Sequence, residues 1–322
     1  MKKTWNLLRQ LLPWLVAIGI FYWLFKKYPP AQVFSNIRDT NLFAFFGLSL
    51  FYVGYVALID SYGLAWTLSR FDCKVSLKEM IPPRFTSYLV AILNYNAGQA
   101  MLTLYLKKSH RYSPFKTLGA ILLLMLMDFF LIITLCVVSS LFVNLHVRGI
   151  DLSAWIQKFG LVFYVSLLIV ALLRKKLPAF IHQKKIFQAL HQATYRDILT
   201  MIGLRIPIHF GFIFCIYFLL KIFHAHVPFT SLILSIPLAL LIGAVPITPG
   251  GLGTIQAAIV ELLKDQIHSP LFLTGTTRPE DLLFAASLLW IFCNYLLKAT
   301  IGLFYLRQVS KVVGSVLPSE AS

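Results

Sequence analysis

Charge is scarce in this sequence, and acidic charge is scarcest. Only 13% of its 322 residues are Asp, Glu, Lys or Arg, about half the share that a soluble globular domain carries. Carboxylates number 12 against 29 Lys and Arg. No nucleophile–base pair and no metal-ligand spacing is visible, so no catalytic residue, metal or cofactor is expected. The four cysteines, Cys73, Cys136, Cys215 and Cys293, make no CxxC or CxxH pattern, and three fall inside apolar runs. That argues against a disulfide framework and a metal site. Long polar stretches are also missing. The longest, Arg174–Asp197, is too short for a soluble catalytic domain, so the chain reads as a non-enzyme. His224-Ala-His226 stands alone in a short loop beside Pro228 and reads as an interfacial turn.

What the sequence has is apolar surface. Hydrophobic residues make up 58% of it, with a mean hydropathy of +0.77. Apolar segments are read at 11–25, 42–69, 85–106, 117–143, 159–173, 198–223, 230–263 and 282–306. Runs near twenty residues match the bilayer core, and the expectation is an all-α polytopic membrane protein forming a single integral membrane domain. The first run is followed by Lys26-Lys27-Tyr28-Pro29-Pro30 and not by small residues; it reads as a retained span. The net charge of +17 lies mostly in loops. It serves topology and anionic headgroups there, and nucleic acid is not expected. Arg174–Asp197 is read as a basic amphipathic linker helix facing the cytosol.

Two segments break their own pattern. Residues 85–106 contain Leu93-Asn-Tyr-Asn-Ala-Gly-Gln99, and residues 230–263 contain Val245-Pro-Ile-Thr-Pro-Gly-Gly-Leu-Gly253. Each either crosses once or turns back. If both turn back, with the N-terminus inside, the inner loops hold 19 basic residues and the outer ones 8; if both cross, the counts are 12 and 15. The positive-inside bias favours about six full spans, two re-entrant hairpins and both termini in the cytoplasm. Span, hairpin and span then occur twice with opposite orientation, at approximately 42–143 and 198–306. Inverted repeats with broken helices at mid-membrane are a transporter architecture, and irregular backbone at that depth is tolerated where it lines a cavity.

Candidate ligand-binding residues sit at the two breaks. In the second, Thr248, Pro249, Gly250, Gly251, Gly253, Thr254 and Gln256 surround a helix start read near Gly251, whose free N–H groups suit a phosphate. In the first, Asn94, Asn96, Gly98 and Gln99 offer amides and a close turn. Small residues at a tight helix crossing are the structural alternative for the glycines, and freed carbonyls are the alternative partners for the amides. Asp128 stands eleven residues into its span and needs a partner there. Arg205 and Lys298 are the available cations, with His209 and Asn294 one turn from each. They form a gate or a pair that holds the bundle together. Asp60 and Glu261 are placed closer to the interfaces.

These motifs resemble the lysylphosphatidylglycerol synthase transmembrane (flippase-like) family, including its stand-alone membrane members, over nearly the whole chain. The carrying stretches are "PITPGGLG" before an apolar helix, "NAGQAMLTLYLKK" and "GAILLLMLMDFF". The departures are specific. The family's Arg-x-Gly-Glu position reads Asn96-Ala97-Gly98-Gln99, the Glu after the glycine turn is Gln256, and Leu124 and Met125 replace a Glu-Arg pair, while Asp128 remains. The family's soluble synthetase domain has no counterpart in this stretch, so lipid aminoacylation is not expected.

The resemblance implies a lipid translocase of a bacterial plasma (inner) membrane. Its partners would be membrane lipids of phospholipid or polyprenyl-phosphate type, with the headgroup in a midplane cavity between the hairpins; an oligomer is left open. A non-transporting accessory protein of a lipid or cell-envelope biosynthetic complex, and a secondary transporter of a small anion, are the alternatives. A purely polar cavity closed to the bilayer would favour the small anion. A lateral opening lined by Phe and Leu would favour lipid.

Overall fold

Apolar segments that cannot hydrogen-bond to their surroundings close their backbone bonds internally, and helices do so within one segment. The computed structural model describes residues 2–93, 95–142, 146–147, 149–173, 184–245, 247–273, 275 and 277–314. For residues 2–13, 93, 95, 96, 146, 147, 249 and 314 it describes the backbone alone. In chain order the helices are α1 (Lys2–Lys27), α2 (Pro30–Arg38), α3 (Leu42–Arg70), α4 (Leu77–Leu93), α5 (Tyr95–His110) and α6 (Pro114–Ser140). There follow α7 (Leu152–Leu173), α8 (Gln188–Gln192), α9 (Tyr195–Ile222), α10 (Phe229–Ala244), α11 (Thr254–Leu263) and α12 (Pro279–Gly314). One two-stranded ladder, β1 (His146–Val147) with β2 (Ile150–Asp151), joins α6 to α7.

The chain is an all-α polytopic membrane protein. Among the described residues, α3, α6, α7, α9 and α12 are long and apolar enough to span a bilayer. Their outward residues confirm the solvent. Leu161, Val162, Leu168 and Leu172 of α7 are all exposed, and contiguous apolar surface on that scale is matched to lipid, not water.

Both broken segments form helical hairpins. In the first, Gly98 of α5 lies against Ser87 and Ala91 of α4: a Cβ on it would sit 2.7 Å from the Ser87 carbonyl oxygen. At the open end, His110 of α5 reaches Glu79 of α4 at 3.5 Å. In the second, α10 and α11 fold back through a turn in which Gly250, Gly251 and Gly253 have φ of 58°, 72° and 82°.

Several boundaries differ from the expected ones. The first hairpin begins at Leu77, not 85, because Pro82 and Pro83 are accommodated inside α4. They are the sixth and seventh residues of the helix, so each forfeits one intrahelical N–H bond. The helix after the glycine turn starts at Thr254, not near Gly251. The described part of the expected linker helix is broken into a 3-10 turn at Lys185–Phe187, the five-residue α8 and the start of α9; residues 174–183 of it lie outside the described residues.

The chain divides into two compact units, and α3, α6, α7, α9 and α12 each pass from one to the other. The first comprises residues 1–52, 132–161 and 209–294 and contains the α10–α11 hairpin. Its interior includes an aromatic group of Tyr52, Phe212 and Trp290. The second comprises residues 53–131, 162–208 and 295–322 and contains the α4–α5 hairpin. Its core is built from Leu68, Met80, Leu102, Leu106, Leu124 and Met201.

The close approach of α4 and α5 at Gly98 gives a direct expectation. Gly98→Ala should destabilise the protein by about 1–3 kcal/mol through overpacking. Gly54→Ala, in open space on α3, should be neutral or stabilising by up to about 1 kcal/mol. Thermal melts in detergent check this, and equal melting of the two variants would rule out the tight crossing.

Candidate functional site

Asp60 is the centre of the second unit's chemistry. It stands ten residues from the C-terminal end of α3, about 15 Å along the helix, in an otherwise apolar stretch. A carboxylate there needs cations and donors. Arg205 of α9 donates from Nη1 to Asp60 Oδ1 at 2.6 Å. Arg84 of α4 donates from Nε to Oδ2 at 2.7 Å. Tyr88, one turn further along α4, donates its hydroxyl to the same oxygen. Asp60 and Arg205 are almost fully buried.

Two further charges complete the cluster. Asp128 of α6 lies 3.2 Å from Arg205 Nε, an ion contact not aligned as a hydrogen bond. Its side chain is 31% exposed, against 6% for Asp60. Lys298 of α12 lies with its ammonium 5.3 Å from the centroid of the Tyr88 ring, within electrostatic reach of Asp60 and Arg84. Arg84 lies 4.8 Å from the same ring's centroid. The cluster thus joins two carboxylates to three cations drawn from five helices.

Asp128, Arg205 and Lys298 were read from the sequence as one group, and the structure brings them together in this unit. His209 and Asn294 belong to the other unit. Both are buried, and Asn294 donates from Nδ2 to the Trp290 carbonyl at 2.8 Å. The sequence reading missed three members. Asp60 was placed near an interface, but the helix continues ten residues beyond it. Arg84 falls one residue before the expected 85–106 segment and so counts there as a loop cation. Tyr88 carried no charge signal at all. The available clue was that an intramembrane Arg needs a carboxylate, and Asp60 was one of few.

The glycine turn is closed by its own groups. Gly251 N–H donates to the Thr248 carbonyl at 3.3 Å, and Gly253 N–H donates to Gln256 Oε1 at 2.7 Å. Thr254 Oγ1 donates to the Gly251 carbonyl at 2.9 Å and lies 3.4 Å from Thr248 Oγ1. Gln256, fully buried, therefore caps α11 from the third helical position. Two amides expected to face a phosphate are thus engaged within the turn. Gly253 also lies against Ile20 of α1, where a Cβ would come within 2.7 Å of that side chain. Pro249 is described by its backbone alone, as is Asn96; Asn94 lies outside the described residues.

Gln99 behaves differently. It is buried, and its Oε1 has no hydrogen-bond partner among the described residues. It lines a groove of about 530 Å³ formed by α5 and α6 within the second unit, whose walls include Leu104, Phe115, Leu118 and Leu122. Thr103 and Lys107 of α5 line it too.

The chain matches the family described as the lysylphosphatidylglycerol synthase TM region over residues 10–302. Among curated proteins nothing matches it.

Two substitution series follow from this geometry. Asp60→Asn removes the carboxylate that Arg205 and the largely buried Arg84 share and should cost about 3–5 kcal/mol. Asp128→Asn removes the looser, part-exposed contact and should cost about 1 kcal/mol or less. Equal melting shifts would overturn that ranking. Gln256→Ala should cost about 1 kcal/mol through the lost cap, while Gln256→Glu, which keeps the acceptor but buries a charge, should melt below wild type.

Proposed function

The chain belongs to the lysylphosphatidylglycerol synthase transmembrane family, integral membrane proteins tied to membrane lipids, and from that premise we propose that it is a lipid translocase that binds a phosphate-containing headgroup. The observation that carries this reading is the cation surplus of the Asp60–Arg84–Asp128–Arg205–Lys298 cluster near the middle of long apolar helices. A buried cluster with more cations than carboxylates attracts an anion. Arginine forks and a lysine ammonium fit phosphate oxygens well.

Asp128 is the exchangeable member. Its contact with Arg205 is longer than that of Asp60, and its side chain is more exposed. On this reading a headgroup phosphate displaces Asp128 from Arg205 as the lipid passes, and Asp128 returns when it leaves. The hairpins α4–α5 and α10–α11 are re-entrant elements of inverted repeats, entering from opposite faces of the plasma membrane, with both termini in the cytoplasm. No cofactor or enzymatic step is needed.

The Phe- and Leu-lined groove on α5 and α6 supports a lipid over a small soluble anion, since an apolar wall adds nothing to the binding of a free ion. The accessory reading has one observation in its favour: Asp60 is already paired with both Arg84 and Arg205, as in a purely structural network.

Reconstitution into liposomes with labelled phospholipids and polyprenyl phosphates separates these readings. Scrambling above empty liposomes is expected for at least one class. Asp128→Asn should slow it by about tenfold, the worth of one charge-assisted contact, with little loss of thermal stability. No scrambling for any lipid, together with co-purification of a biosynthetic enzyme, would replace the translocase reading with the accessory one.

A further inference from the structure

α5 carries a line of polar groups along an apolar wall. Gln99, Thr103 and Lys107 recur every fourth residue and so share one face of the helix, and all three line the α5–α6 groove. Gln99 and Lys107 are about 12 Å apart along the axis. Helical side chains lean toward the N-terminus, which brings the Lys107 ammonium down the groove toward Gln99. Lys107 is exposed in the last turn of α5.

Three observations indicate what the groove takes. Gln99 is 8% exposed, yet its Oε1 has no partner among the described residues. Native proteins rarely leave a buried acceptor in that state unless something outside the chain supplies the donor. Thr103 spends its hydroxyl proton on the Gln99 main-chain carbonyl, at 2.8 Å, and is left as a second acceptor. Leu104, Phe115 and Leu122 on the groove walls are exposed, so acyl chains beside them stay in the bilayer. On α6, Ile121 and Met125 line the groove, and Asp128 follows Met125 by three residues on the same face. The inner end of the groove therefore leads to the carboxylate that contacts Arg205.

We propose that the α5–α6 groove is the uptake site for one membrane phospholipid whose headgroup carries a hydrogen-bond donor beyond its phosphate. Lys107 meets the phosphate near the interface. Gln99 accepts from the hydroxyl or ammonium at the headgroup's far end, and the apolar walls hold the chains. A free phosphate would use neither the walls nor Gln99. The uptake role rests on the translocase reading; the headgroup selectivity does not.

The test uses the full chain in nanodiscs containing equal parts of phosphatidylethanolamine, phosphatidylglycerol and phosphatidylcholine with matched acyl chains. A benzophenone photoprobe replaces Leu122 in the groove or, as a control, the exposed Leu303 on α12. Lipid adducts are counted by mass spectrometry. At position 122 the two donor-bearing lipids should exceed phosphatidylcholine by about fivefold, the worth of one net hydrogen bond; at position 303 there should be no preference. Gln99→Leu should abolish the preference. Gln99→Glu should raise phosphatidylethanolamine over phosphatidylglycerol by about fivefold, through a charge-assisted bond. Lys107→Gln should lower all three by about threefold. Equal adducts at position 122, or a preference that survives Gln99→Leu, would overturn the site. If Gln99→Leu fails to fold, an unchanged ratio in Gln99→Glu would do the same. Selective adducts without scrambling in liposomes would sink the translocase reading and support the headgroup site. Scrambling with unselective adducts would do the reverse.

Discussion

A carboxylate within an apolar helix cannot be left alone, and Asp60 imposes that constraint on the second unit. Its two oxygens take Arg205, Arg84 and Tyr88, so α3, α4 and α9 must meet at one level. The α4–α5 hairpin is placed by this meeting as much as by packing. With Arg84 fixed to Asp60, Tyr88 one turn on presents its ring to Lys298, and α12 joins the cluster. Asp128 meets Arg205 at Nε, while Asp60 takes Nη1. Of the two carboxylate contacts of Arg205, the longer is the one available for exchange.

The two glutamines that the resemblance sets against acids have different fates. At Gln256 the carbonyl oxygen accepts the Gly253 N–H. An amide supplies the acceptor that a helix N-terminus needs without burying a charge, in a side chain that is only 1% exposed. At Gln99 the carbonyl oxygen is buried and unmet. A carboxylate in that position would be a buried charge demanding a cation, whereas an amide asks only for a donor. The change at Gln99 therefore bears on what the protein can hold, and the change at Gln256 bears on how the turn is held.

The helices and their order were legible in the sequence because apolar runs near twenty residues have few alternatives. The need for a partner at Asp128 was legible for the same reason. Which partner was not, since pairing is decided by helix packing that spacing along the chain does not encode. Arg84 was hidden because the expected apolar run begins at 85, whereas α4 begins at Leu77 and runs through Pro82-Pro83. The glycine turn was legible as irregular backbone. Its N–H groups looked free only because their acceptors, Thr248 and Gln256, flank the turn and close on it after folding.

The arrangement of polar groups on α5 and α6 has a directional logic. Lys107 is exposed and mobile in charge placement, Thr103 is a neutral acceptor, and Gln99 is buried and unsatisfied. Along that line solvation falls while hydrogen-bonding demand rises. A headgroup moving inward gives up water first at the site that offers charge, and last at the site that offers an unmet acceptor. Beyond Gln99 the next polar group on the α6 wall is Asp128, a carboxylate already half committed to Arg205. A donor arriving there competes with Arg205 for Asp128, and a phosphate following it competes with Asp128 for Arg205. Both exchanges loosen the same 3.2 Å contact. A zwitterionic headgroup, or one that joins hydroxyls to a phosphate, performs the two exchanges with one molecule, which a simple anion cannot do.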